Sequence, residues 1–109
     1  MRWFGRLCRS GEIGFVRRRG HSVALTTVTV YGSEAASGCS RACVTVSKSV
    51  GGAVVRNFVR RRIRGALEAL PSPSGCRRLV FVAKPAAARA SYALVAREIA
   101  LALARLTLE

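Results

Sequence analysis

The spacing of apolar residues changes along the chain, and each change predicts an element. Residues 22–31, SVALTTVTVY, are dense in β-branched side chains and predict a strand. Residues 41–48, RACVTVSK, alternate. Ala42, Val44 and Val46 fall on one face and Cys43, Thr45 and Ser47 on the other, which predicts a second strand. The small and polar residues between them, 32–40, predict a hairpin loop. Residues 78–84, RLVFVAK, are almost continuously apolar, as in a strand covered on both faces. Ahead of these strands, SGEIGFVRRR at 10–19 predicts a short helix with Ile13, Val16 and Phe15 turned inward and the arginines outward.

Two longer helices complete the pattern. The first runs from Ala53 to Leu70, after the turn SVGG at 49–52 and before the breaker PSPSG at 71–75. On a helical wheel, Val55, Val59, Ile63, Ala66, Leu67 and Leu70 share an arc of about 120° that seats the helix on a sheet. The second follows Pro85 and an alanine-rich turn; Ser91 is its expected cap and Leu106 its approximate end. Tyr92, Val95, Ile99, Ala102, Leu103 and Leu106 form its core line, and Leu94, Leu101 and Leu108 form a second stripe that packs under a neighbour or marks an interface.

Charge changes this picture. The 109 residues carry 19 Lys plus Arg against 5 Asp plus Glu, a net charge of +14, and Lys48 and Lys84 are the only lysines. Such an excess repels itself, and a polyanion relieves it. Arginine's planar fork suits phosphate, although a GC-rich genome produces the same bias. The excess is concentrated on the helix at 53–70. There Arg56, Asn57, Arg60, Arg61 and Arg64 fill an adjoining arc of about 140° with no acidic residue before Glu68, and Arg62 lies at its flank. Arg56, Arg60 and Arg64 stack at four-residue intervals, where like charges repel by roughly 0.2–0.5 kcal/mol per pair. These arginines lie mostly in the first turns, where cations gain nothing from the helix dipole. A row of phosphates compensates both effects, so the helix is expected to bind nucleic acid.

Other chemistry is poorly supported. The acids Glu12, Glu34, Glu68, Glu98 and Glu109 are scattered and there is no aspartate, which argues against a protein-based two-metal nuclease. Cys39 and Cys43 have a metal-like spacing, but no second Cys or His pair completes a set, so Cys8, Cys39, Cys43 and Cys76 are expected to be free thiols. His21 has no evident catalytic partner. The basic opening MRWFGRLCRSG lacks the apolar run of a signal peptide, and no segment is apolar enough to span a bilayer. A single soluble, cytoplasmic domain over 1–109 is expected, with no membrane association and no obligate protein partner.

The run SKSVGGAVVRNFVRRRIRGAL, 47–67, resembles the signature of the bacterial ribonuclease P protein component through Ser47, Lys48, Gly51, Ala53, Arg56, Asn57, Val59, Arg60, Arg61, Ile63 and Arg64. VFVAKPAAARASYALVAREI, beginning at Val80, and GEIGFVRRRGHS, beginning at Gly11, are similar to the family's later and earlier segments. Two departures stand out. Phe58 occupies a position that is usually basic, and Ile13 and Arg17 stand where the family's first helix usually carries aromatic residues.

The resemblance implies an α+β fold: a two-layer α/β sandwich like domain 2 of ribosomal protein S5, with a mixed sheet and a left-handed βαβ crossover. It implies an RNA-binding subunit that assists a catalytic RNA in endonucleolytic removal of the 5′ leader from precursor tRNA. Lys48, Arg56, Asn57, Arg60, Arg61, Arg62 and Arg64 would then contact the catalytic RNA. Phe15, Arg17 and Arg18 would contact the leader, in a cleft between the first helix and the sheet. The chemistry would fall to Mg2+ held mainly by the RNA, with no catalytic residue, metal site or organic cofactor on the protein. The alternative is a structural ribosomal or RNA-assembly protein with no part in cleavage. A DNA-binding protein would need a partner helix or dimer geometry that the sequence does not offer.

Overall fold

The β-branched stretch at 22–31 folds back on itself. In the computed structural model, which describes residues 3–7, 9–34, 40–71 and 76–107, it forms two antiparallel strands rather than one: β2, His21–Ala24, and β3, Val28–Glu34. The turn is held from outside. The Glu98 carboxylate accepts hydrogen bonds from the Thr27 hydroxyl at 2.5 Å, the Thr27 N–H at 2.8 Å and the Thr26 N–H at 3.2 Å. Burial raises the pKa of this carboxyl, but the hydrogen bonds from Thr27 and Thr26 outweigh it and leave the net shift downward. Propensity alone could not locate this turn, because its anchor lies about seventy residues away.

The other elements are β1, Phe4–Arg6; α1, Ser10–Arg19; β4, Ser40–Val46; α2, Ala53–Glu68; β5, Arg77–Ala83; and α3, Tyr92–Thr107. Short 3-10 turns at Lys48–Val50 and Pro85–Ala88 lead into α2 and α3. The sheet order is β1-β4-β5-β3-β2, with β1, β4 and β5 mutually parallel and β3 antiparallel to both β5 and β2. β5 therefore lies between β3 and β4, which do not form the hairpin expected from sequence; residues 35–39 of the expected loop lie outside the described residues.

Parity along β5 explains its continuous apolar run. Leu79, Phe81 and Ala83 face α2 and α3 in the main core, and Val80 and Val82 face α1 on the opposite side with Leu7, Val16, Ile13, Tyr31 and Cys43. The α2–α3 layer and the sheet form the two layers of the sandwich, and α1 crosses part of the other face. Phe81, fully buried at the centre, contributes about 1.5–3 kcal/mol by leaving water.

The helices form where periodicity predicts, with some corrections. Val59, Ile63, Ala66 and Leu67 are buried, but Val55, at the open first turn of α2, remains exposed. Ser91 caps α3 through the Leu94 N–H at 3.1 Å, and Val95, Ile99, Ala102, Leu103 and Leu106 enter the core. Tyr92, on the first turn of α3, does not and is exposed. On the second stripe Leu101 is exposed and Leu94 half-buried, while Leu108 lies outside the described residues. Cys43 and Cys76 are half-buried and in no disulfide; Cys8 and Cys39 lie outside the described residues.

Candidate nucleic-acid interface

The entry to α2 is set by one glycine. Gly51 has φ of +155°, and a Cβ there would lie 2.9 Å from Val55 Cγ1, so neither the backbone nor the space suits a larger residue. Gly52 then caps the helix in extended conformation, with no side chain bonded to the first-turn N–H groups. Lys48 is exposed on the preceding 3-10 turn, whose Val50 is buried and pins it to the core.

Once Val59, Ile63 and Leu67 are seated, helical geometry fixes the direction of the remaining side chains. Asn57, Arg60, Arg61 and Arg64 line a groove of about 920 Å3 beside β4. Its other walls are Arg6 and Leu7 from β1 and the segment after it, and Ile13 from α1; Ala42, Cys43 and Val44 contribute from β4. β1 pairs only with Ser40–Ala42, so the groove runs along the part of the β4 edge that β1 leaves uncovered. Arg60 Nη1 donates to Asn57 Oδ1 at 2.9 Å, which steadies both side chains. Among the described residues no carboxylate forms an ion pair with Arg60, Arg61 or Arg64. Arg56 is half-buried nearer the core, and its Nε has no hydrogen-bond partner.

Arg62 belongs to a different environment. On the opposite flank of α2 its Nη1 donates to the Ala90 carbonyl at 2.7 Å, and its guanidinium lies 4.4 Å from the centre of the Phe58 ring. The pair fastens α2 to the segment leading into α3, so Arg62 is separated from the arginines of the groove. Phe58 provides the surface on which Arg62 stacks.

The α1 candidates divide as well. Arg17 stacks over Tyr31 of β3 at 5.3 Å, one turn beyond Ile13 on α1. Phe15 does not turn inward; it is 47% exposed on the other flank, and Arg18 is exposed on the outer side. Two residues missed in the sequence reading emerge here. Tyr31 has the opposite strand parity to Val28 and Val30 and therefore faces α1, a signal that correct division of residues 22–31 would have exposed. Arg6 lies on a three-residue strand with no periodicity to reveal it.

A family model for Ribonuclease P matches residues 1–107. The chain belongs to the ribonuclease P protein family. It is 43% identical over 105 residues to the ribonuclease P protein component of Acidothermus cellulolyticus, covering 94% of this chain and 88% of that one. It is 41% identical to the component from Nocardioides, over 84% and 82% of the two chains. The Staphylococcus aureus RNase P protein structure superposes with a TM-score of 0.82 at 24% identity, covering 94% of this chain and 96% of that one. The Thermotoga maritima RNase P protein gives 0.76 at 18% identity over 95% and 96%.

Membership supports the expected α+β fold and gives the chain its role. It is the protein component of ribonuclease P, an RNA-binding protein that assists the RNA subunit in tRNA 5′ processing, and the RNase P RNA is its partner. No helix among the described residues is long and apolar enough to cross a membrane.

Proposed function

We propose that the arginine-lined groove beside α2 grips the catalytic RNA while the face formed by α1 and the sheet, where Arg17 stacks on Tyr31, receives the 5′ leader of precursor tRNA. The observation that carries this reading is the convergence of Asn57, Arg60, Arg61 and Arg64 on one groove, with no ion-paired carboxylate among the described residues to neutralise its arginines. Lys48 and Arg56 extend the grip towards the helix start, and Arg62 holds α2 in place from the opposite flank. Stacked Arg17 and Tyr31 supply a flat cationic surface suited to an unpaired base.

Among the described residues no three His, Cys, Asp or Glu side chains gather. Glu12 lies 3.3 Å from Arg78 Nε, and Glu98 is engaged by the β2–β3 turn. On this reading, Mg2+ held mainly by the RNA would activate the water and stabilise the leaving oxygen, and the protein would supply no catalytic residue. The protein's task is to lower repulsion between catalytic RNA and substrate, a cost that is greatest when cations are scarce. Cleavage of precursor tRNA by the cognate RNA, with and without the protein, tests this. A large gain in kcat/KM at low magnesium, shrinking at high magnesium, is expected. Tight RNA binding without such a gain would instead favour a structural role.

A further inference from the structure

Arg6 is brought to the α2 side of the sheet by strand parity. Phe4 is buried in the main core, and Arg6, two residues on, takes the same face opposite Ala42 in register. Ala42 has only a methyl group there, and the space above it remains open. A second cavity, of about 260 Å3, is bounded by Phe4, Gly5, Arg6, Ala42 and Arg64. Arg6 and Arg64 also both line the larger groove, so the two cavities meet between these side chains. Both arginines are exposed, and neither forms an ion pair among the described residues. Two unpaired guanidinium groups across a small cavity repel each other unless an anion lies between them.

We infer that Arg6 and Arg64 form a clamp for one RNA backbone phosphate, so that the N-terminal strand is part of the RNA-binding surface. The chemistry fits a phosphodiester: two planar forks offer paired N–H donors to its oxygens, and Phe4 with the Ala42 methyl group leaves apolar space for the attached sugar. The clamp also gives β1 a purpose beyond its three-residue pairing. By ending at Ala42, β1 places Arg6 beside α2 while leaving the next residues of β4 open to the groove.

This inference rests on the α2 reading and is tested separately from it. Catalytic-RNA affinity is measured across a salt series for Arg6→Ala, Arg64→Ala, the double variant and Arg61→Ala, with thermal melts verifying the fold. Each clamp variant is expected to weaken binding about tenfold to a hundredfold, the range of a hydrogen bond to a charged group. The double variant should lose little more than either single one, because each has already opened the clamp. Additive losses, or an Arg6→Ala variant that binds like wild type while Arg61→Ala is impaired, would overturn the clamp and leave α2's role intact. Wild-type binding by Arg61→Ala and by Arg64→Ala would refute the α2 reading and the clamp with it. Arg6→Lys, which keeps the charge but loses the fork, should recover only part of the affinity.

Discussion

The two flanks of α2 make opposite predictions for arginines that are near neighbours in sequence. Arg60 and Arg61 face the groove, and Arg62 binds the Ala90 carbonyl and stacks on Phe58. If Arg60 and Arg61 each neutralise one RNA phosphate, replacing both by alanine removes two released counterions. The slope of log K against log salt should then flatten by about 1.4–1.8. Over a fourfold rise in salt, wild type would therefore lose about 7–12 times more affinity than the double variant. Arg62→Ala should leave the slope unchanged and reduce stability instead. One hydrogen bond and one cation–π contact are worth together about 1–3 kcal/mol, or several degrees in Tm. Fluorescence anisotropy with labelled catalytic RNA across a salt series gives the slopes, and thermal melts give the stability. An unchanged slope in the Arg60, Arg61 double variant would refute the reasoning, as would an Arg62→Ala slope that flattens equally.

Two further outcomes follow from the fold. The Glu98 carboxyl, whose pKa is lowered by folding, contributes stability above its ordinary value of 4.5 that is lost as pH falls through the folded value. Acid melts should therefore steepen below about pH 4.5 in wild type and less so in Glu98→Gln, which should be about 1–3 kcal/mol less stable at neutral pH. Gly51→Ala forces a strained φ and a contact with Val55, so it should cost about 1–3 kcal/mol and weaken RNA binding by tilting the start of α2. Melts beside binding curves measure both effects, and wild-type values would refute the role given to Gly51.

The arginine flank was legible in sequence because helical period is a local property: Val59, Ile63 and Leu67 orient the helix, and Arg60, Arg61 and Arg64 follow. The alternation of β4 was legible for the same reason. What was hidden depends on distant partners. Residues 22–31 divide where Glu98 binds Thr26 and Thr27, and the expected hairpin fails because β5 enters between β3 and β4. Arg62 looked like one more cation until the Ala90 carbonyl and Phe58 ring came beside it. Phe15 looked like core because apolarity does not specify which flank of a short helix meets the sheet.

The central position of β5 also governs the order in which the molecule can be completed. β3 and β4 both pair with Arg77–Ala83, and β1 joins only through β4. While the chain is being synthesised, every strand before β5 emerges without the partner that unites the sheet, and α2 emerges before its platform is complete. Such long-range pairing slows folding, since distant segments must meet before their contacts stabilise them. The most cationic segment is therefore available to nearby polyanions before the strand that completes its platform has been made.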